Sequence, residues 1–414
     1  MISKISEIEV GVNFGFGIEP VGRLAVHNHT FYFEYDLLFL KKGLEISPFY
    51  LPLRSGLIEL PYRPFEGLAG VFNDSLPDGW GRLLFDRMVR SEGFLPEDFS
   101  PLDRLANVGL FGLGALVYEP NNNQENRNSK IDLDQLADQT EEVLQGCSED
   151  IISELLALNG SSAGARPKAL IGIDSTYKNI IHGTHLLEEG FEPWIVKFPN
   201  QQDGTDAGAI EFVFAKMAEL AGVVIPKIHL FPSSKCPGYF AIKRFDRENG
   251  QRFHMHTASG LLHSDFRVPA FDYEDLCNLT GQLTKDIREV EKIYRLAVFN
   301  VLSHNRDDHG KNFSFLMDSS GNWKLAPAYD LTFSSGPRGE QSTMVMGEGK
   351  NPRIKHLKKL GMEAKISKEK IDNIIEQTVY AVNNWESLAK NYGVSHSNIS
   401  FIGKAIKKIR ENDK

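Results

Sequence analysis

Residues 305–312 read Asn305-Arg306-Asp307-Asp308-His309-Gly310-Lys311-Asn312, and eighteen residues further on Asp330 stands in Ala328-Tyr329-Asp330-Leu331. An Asp followed five positions later by an Asn, with another acid downstream, is the order in which phosphoryl transfer places its groups. That chemistry asks little covalent work of a protein. It needs a carboxylate to orient the attacking hydroxyl and hard oxygen ligands for Mg²⁺. Asp307 suits the first role, and Asn312 with Asp330 the second. Only one of Asp307 and Asp308 can be the base, and the D-x-x-x-x-N spacing selects Asp307. His309 reads as a structural hydrogen-bonding residue rather than a metal ligand, since the nearest extra histidine is His304.

The flanks agree. A helix is expected to end at Val298-Phe299-Asn300-Val301-Leu302, and Phe313-Ser314-Phe315-Leu316 reads as a short strand. Helix, loop, strand and metal-binding Asp follow one another in the C-terminal lobe of a protein kinase. Upstream, Lys197 sits in the apolar run Ile195-Val196-Lys197-Phe198. A charge flanked by core residues needs a partner. One reading is an edge-strand lysine whose stem snorkels to water. The other is a phosphate-holding lysine paired with a carboxylate on the next helix, for which Glu211 is preferred to Glu219.

The loop Asn159-Gly160-Ser161-Ser162-Ala163-Gly164-Ala165-Arg166-Pro167-Lys168 is rich in small residues, which let backbone N–H groups approach an anion. It is not a Walker loop, because no G-x-x-x-x-G-K-[ST] occurs. His254, His256 and His263 form a loose group, and an H-x-H pair in a strand can hold Zn²⁺, but no third ligand stands at a convincing spacing.

The 414 residues suit two domains or one large bilobal unit. A composition of 41% hydrophobic and 24% charged residues is that of a globular protein with a sizeable core. The net charge, 46 − 55 = −9, excludes the whole chain as a nucleic-acid binder by charge. From Lys350 to Lys414 the balance reverses, with 14 Lys+Arg against 7 Asp+Glu. That stretch reads as a solvated helical surface or as a basic patch facing nucleic acid or an acidic partner. Three scattered cysteines, no signal-length apolar run and no run of membrane-spanning length predict a reducing, cytoplasmic setting without membrane contact.

The expected fold class is α+β: a bilobal, protein-kinase-like fold with a β-rich N-terminal subdomain and a mainly helical C-lobe. Residues 1–120 form the β-rich part, with strand-like Phe31–Tyr35 and Leu37–Leu40, a turn at Leu76-Pro77-Asp78-Gly79 and a helix over Trp80–Val89. Residues 121–150 hold an Asn-rich linker and a helix capped by Asp132. Residues 151–248 form an N-lobe with strands at Ala169–Ile173, Trp194–Phe198 and Tyr239–Phe245 and a helix over Ala209–Leu220. Residues 249–414 form the helical C-lobe, with helices over Ile287–Leu302 and Lys368–Leu388.

Five ordered segments resemble the HipA family of serine/threonine kinases, the toxin half of bacterial toxin–antitoxin modules. They are Phe72-Asn73-Asp74-Ser75-Leu76-Pro77-Asp78-Gly79-Trp80-Gly81, Ser161 to Lys168, Lys243-Arg244-Phe245-Asp246-Arg247, Asp307 to Ser314, and Leu325-Ala326-Pro327-Ala328-Tyr329-Asp330-Leu331. The resemblance implies a kinase using ATP and Mg²⁺, with Asp307 as catalytic base, Lys197 on the phosphates, and Asn312 and Asp330 on the metal. It implies a nucleotide site lined by Ser162, Ala163, Gly164, Ala165, Lys197, by the hinge residues Lys243, Arg244 and Phe245, and by His309, Lys311, Asn312, Tyr329 and Asp330. It implies autophosphorylation in the loop, on Ser161 by alignment or on Ser162, where about −2 of added charge would repel ATP. The chain departs from the family pattern at Arg166-Pro167, where Gln-Glu is common, and at Ser162, where an apolar residue is usual.

The implied activity is growth arrest by phosphorylation of a translation-related protein such as an aminoacyl-tRNA synthetase. The implied partner is a small helix-turn-helix antitoxin. No helix-turn-helix is evident here, so DNA would be met only through that partner. Two other readings use the same residues: a non-catalytic partner of such an antitoxin in operon repression, and a small-molecule phosphotransferase.

Overall fold

The structure is a computed structural model that describes residues 5–122, 130–146, 152–159, 164, 166–183, 187–200, 203–268 and 271–411. Its class is α+β, with helices and sheets in two lobes. The first sheet is antiparallel throughout and orders its strands Ile58–Leu60, Thr30–Tyr35, Ile18–His27, Glu7–Asn13 and Leu116–Glu119. Period-two alternation turns Phe31, Phe33 and Tyr35 into its core, where Phe33 meets the rings of Tyr35 and Phe72.

Leu37–Leu40 is not a strand. Asp36 accepts from the N–H groups of Leu38 and Phe39, and Gly43 ends the segment in the left-handed conformation, so Leu37–Lys42 closes into a short helix. A capping pair at both ends overrides the strand preference of its residues. Leu37 and Leu38 are left exposed, and only Phe39 is buried.

The second sheet runs Ile180–His182, Lys168–Asp174, Phe191–Lys197, Tyr239–Lys243 and Ile228–Phe231. Helix Ala207–Leu220 begins two residues earlier than its sequence pattern suggests and buries Ala209, Val213, Phe214 and Met217 toward the C-lobe. Helix Gly79–Ser91 belongs to this sheet's core, not the first: Trp80, Leu84, Phe85 and Val89 pack with Ala169, Ile171, Trp194 and Val196. Helix Leu133–Gln145, capped by Asp132 through Gln135 N–H, joins the same cluster. The Asn-rich linker falls largely on residues 123–129, outside the described residues.

The C-lobe packs Tyr273–Thr284, Ile287–Ser303, Ile354–Glu363, Lys368–Asn383, Trp385–Asn391 and His396–Glu411 around one core. The helical run expected over Lys368–Leu388 is two helices that meet at Asn384. No helix among the described residues is long and apolar enough to cross a membrane.

Buried polar contacts fasten the N-terminal sheet region to the rest. Asp74 accepts from His256 Nδ1 at 2.6 Å, Thr257 N at 2.7 Å and Thr257 Oγ1 at 2.8 Å. Ser47 donates to His256 Nε2, and His254 Nε2 donates to Ile46 O at 2.8 Å. The H-x-H pair is therefore structural: burial holds the His254 imidazole neutral, with its pKa pulled down to about 3. Asp246 makes a second tie, binding Arg244, Arg247 and Gly114 N.

Each donor stranded by loss of a buried acceptor costs about 1–3 kcal/mol. Asp74→Ala is expected to destabilise the protein by about 3 kcal/mol or more on that scale. The thermal midpoint measured by circular dichroism should fall by several degrees, and an unchanged midpoint would show that the Asp74 contacts do not hold the two regions together.

Candidate active site

The site begins with the end of a strand. Lys197 closes Phe191–Lys197, and the antiparallel register sets it opposite Phe240 on one side and Lys168 on the other. Its Nζ lies 2.5 Å from Glu211 Oε1 and 2.5 Å from Asp330 Oδ1. Glu211 is 2% exposed and comes from helix Ala207–Leu220. Burial pulls the Lys197 ammonium down, but the Asp330 and Glu211 carboxylates outweigh it and hold its pKa above the ordinary value. Burial likewise works against the Asp330 carboxylate, and Lys197, Lys168 and Arg166 overcome it and hold its pKa low.

Asp330 reaches this position in the left-handed conformation, φ 58°, which Asp tolerates better than most residues. Its neighbour Tyr329 donates to Lys311 O at 2.5 Å and meets Ser314 Oγ at 2.6 Å. That phenol joins the Asp330 segment to the loop carrying Asn312.

The loop itself starts where helix Ile287–Ser303 stops. His304 adopts the left-handed C-cap, φ 63°, and turns the chain into Asn305–Asn312. The two adjacent aspartates then part company. Asp308 is buried and accepts from Tyr273 Oη at 2.7 Å, Gln341 Nε2 at 3.0 Å, Ser342 N at 2.9 Å and Thr343 N at 3.2 Å. Burial raises its pKa to about 6, against the pull of those hydrogen bonds. Asp307 faces outward, its side chain 59% exposed, with His309 Nε2 at 3.9 Å. Asn312 Nδ2 donates to Asp307 O at 2.6 Å, which leaves its carboxamide oxygen for another partner. The His309 ring packs against Phe266.

Of the small-residue loop, Ser161, Ser162, Ala163 and Ala165 lie outside the described residues. Gly164 is held from the N-terminal region: its N–H donates to Asp78 Oδ1, and its carbonyl accepts from Trp80 N at 3.0 Å. It has φ 109°, and a Cβ there would meet Lys168 Nζ. Asp78 Oδ2 also pairs with Lys311 Nζ at 2.7 Å, so one carboxylate ties the loop to the Asp307 segment. Lys168 is buried, and desolvation together with Lys197 pulls its pKa down to about 8.

These contacts bring Lys197, Glu211 and Asp330 together, join Asn312 to Asp307, and place Tyr329 against Lys311 and 5.4 Å from the Phe245 ring. Two hinge side chains turn elsewhere. Lys243 Nζ binds Glu192 at 2.6 Å, and the Arg244 guanidinium is taken by Asp246 and Gly112 O. Asp78, Arg166, Lys168 and Asp203 also reach the site, though the sequence assigns none of them a role there. Arg166 bridges Asp203 at 2.8 Å and Glu211 at 3.4 Å. The signal for Asp78 was present in Leu76-Pro77-Asp78-Gly79, but turn chemistry explains those residues without a site.

No group of three or more His, Cys, Asp and Glu able to hold a metal occurs among the described residues. Mg²⁺ does not need one, since it takes one or two protein oxygens and completes its shell with water and phosphate. The Asn312 carboxamide oxygen and the Asp330 carboxylate are donors of that kind.

A family model described as the HipA-like C-terminal domain matches residues 160–385, and one described as the HipA N-terminal domain matches residues 16–119. The protein Y4mE of Sinorhizobium fredii, named as a kinase, is 25% identical over 259 residues, 54% of this chain and 56% of that protein. The serine/threonine-protein kinase toxin HipA of Shewanella oneidensis is 26% identical over 318 residues, 67% of each chain. The chain thus spans just over half to two thirds of the length of these relatives. The solved Shewanella oneidensis HipA, in a complex with HipB and operator DNA, superposes with a TM-score of 0.69 at 16% identity, over 97% of this chain and 95% of that one. The match over more than half the sequence shows that the chain belongs to the HipA family.

Proposed function

We propose that this protein is an ATP- and Mg²⁺-dependent serine/threonine protein kinase that arrests growth by phosphorylating a translation-related protein. The observation that carries the reading is the lysine held between Glu211 and Asp330 at 2.5 Å from each. A largely enclosed ammonium fixed by one structural acid and one loop acid is the arrangement that protein kinases use on ATP phosphates. Relatives named as kinases, and as a kinase toxin, support the activity.

In this reading Glu211 keeps Lys197 oriented, and Lys197 with Lys168 offers positive charge to the phosphates. Asp307, exposed beside the loop, accepts the proton of the acceptor hydroxyl as its oxygen attacks the γ-phosphorus. The bond to the β-phosphate oxygen breaks, leaving ADP and a phosphate monoester. Asn312 and Asp330 would hold Mg²⁺, which supplies charge neutralisation at the phosphates when bound. Phe245 and Tyr329 meet as a tilted ring pair at the edge where the nucleotide base would lie. Autophosphorylation on Ser161 or Ser162 would repel ATP and switch the enzyme off. By analogy with the HipA–HipB–DNA complex, a helix-turn-helix antitoxin is the partner, and DNA is met through it.

Asp307→Asn is expected to lower transfer of labelled phosphate from ATP by about 10²–10⁴-fold while ATP binding by calorimetry persists. Phosphate on Ser161 or Ser162 should then disappear from the mass spectrum; undiminished transfer would remove Asp307 as base. Asp78→Asn, which breaks the tie from Gly164 to Lys311, should reduce kcat/KM for ATP by about tenfold, about 1.4 kcal/mol, chiefly through KM. A loss confined to thermal stability, with kinetics unchanged, would leave Asp78 a purely structural residue.

A further inference from the structure

Beside the loop that carries Asp307 lies a recess of about 260 Å³. It forms between the end of helix Ile287–Ser303, the 339–353 segment and the last helix, His396–Glu411. His304, Arg306, Lys350, Arg353 and Lys408 line it, and among the described residues no Asp or Glu does. Three segments far apart in sequence thus deliver cations to one small space, where their mutual repulsion is unfavourable unless an anion joins them.

The acids nearby offset this only in part. Asp308, buried beneath the loop, and Glu340, exposed, both act on Arg306. Glu348 acts with Arg353, but its Oε1 already accepts from the N–H groups of Lys350 and Asn351. His304 adds no charge, because burial, Arg306 and Lys408 hold its pKa down. Among the described residues four formal positive charges therefore stand against three, and the Asp308 carboxylate is already taken by four donors.

Arg306 is the most telling member. Its Nη1 donates to Gly339 O and its Nη2 to Lys350 O at 3.2 Å. Its Nε is buried with no hydrogen-bond partner among the described residues. A buried donor left unpaired is costly and uncommon, so this N–H calls for an acceptor. The ten-residue helix Ile354–Glu363 also starts at Arg353 and adds the positive end of its dipole.

We propose that this recess binds a phosphate monoester carried on a polypeptide, a phosphorylated side chain of the protein substrate. The clustered Arg and Lys side chains match the chemistry of phosphoryl recognition. The volume lies below the roughly 300–1,000 Å³ of small-molecule sites, so it takes the head group and not a nucleotide. Arg306 directly precedes Asp307, so a chain anchored there by one phosphorylated residue passes the catalytic base with another hydroxyl. The word substrate rests on the kinase reading above; the binding site does not.

The test is fluorescence anisotropy of the full chain at fixed ionic strength. The probes are a degenerate phosphoserine peptide library and its unphosphorylated counterpart, with inorganic phosphate and a short single-stranded DNA as competitors. Saturable binding of the phosphorylated library, at least tenfold tighter than the unphosphorylated one, is expected. The double variant Arg353→Glu/Lys408→Glu should weaken it at least tenfold, with circular dichroism and ATP affinity unchanged. Equal binding of the two libraries, or undiminished binding by the variant, would overturn the site. Inorganic phosphate competing as tightly as the phosphopeptide would overturn the polypeptide carrier, and DNA competing more tightly would reassign the face to nucleic acid. Phosphopeptide binding that persists while no phosphate transfer from labelled ATP is seen would sink the kinase reading and leave this site standing.

Discussion

A lysine largely withdrawn from water is tolerable only if something answers its charge, and the architecture around Lys197 follows from that constraint. The strand register sets the buried Lys168 directly across from it, so two ammonium groups share one largely enclosed surface. Alone they would repel. Glu211 from the helix and Asp330 from the loop supply the opposing charge, and Asp78 adds a third acid close to Lys168. Buried charged networks of this kind contribute little net stability, because desolvation offsets most of the attraction. What they confer here is position. An anion entering the site would meet fixed positive charge and donors already desolvated, which is how preorganised sites act on phosphates.

The acids are not equivalent, and the difference bears on mechanism. Glu211 is sealed in the helix and shared with Arg166, so it has little freedom to leave Lys197. Asp330 sits on a non-helical segment and is more open. The contact between Lys197 and Asp330 is therefore the one that can open when phosphates or a cation compete for either partner. Asp308 and Asp307 show the same division of labour in adjacent positions. One carboxylate is consumed by four donors, Tyr273 and three that hold the 341–343 segment to the loop, and the other is left to the solvent side.

Much of this was readable in the sequence where one local pattern decided the outcome. The helix before the loop, the strand after it and the lysine in an apolar run each carry a period or a charge anomaly that admits few structures. The readings that failed involve competition between signals. Leu37–Leu40 has strand-like residues, but Asp36 and Gly43 cap it as a helix. Lys368–Leu388 keeps helical periodicity across a break at Asn384 that the pattern does not record. The contributions of Asp78 and Lys168 were invisible for another reason. Each depends on a contact at long range, from Asp78 to Lys311 and from Lys168 to Lys197, and no local rule encodes such pairing.

The same long-range contacts change what the N-terminal region is. Its sheet could be taken for a docking module attached to a complete kinase. Yet Asp78 holds both the small-residue loop and Lys311, Asp74 holds the strand that leads into the C-lobe, and Gly112 and Gly114 receive the hinge arginines. Helix Gly79–Ser91 packs inside the N-lobe core rather than its own sheet's. These are buried or partly buried contacts whose donors and acceptors would lose their partners if the region were removed. The N-terminal region is accordingly part of the candidate site's framework, because Asp78 links it to both Gly164 and Lys311.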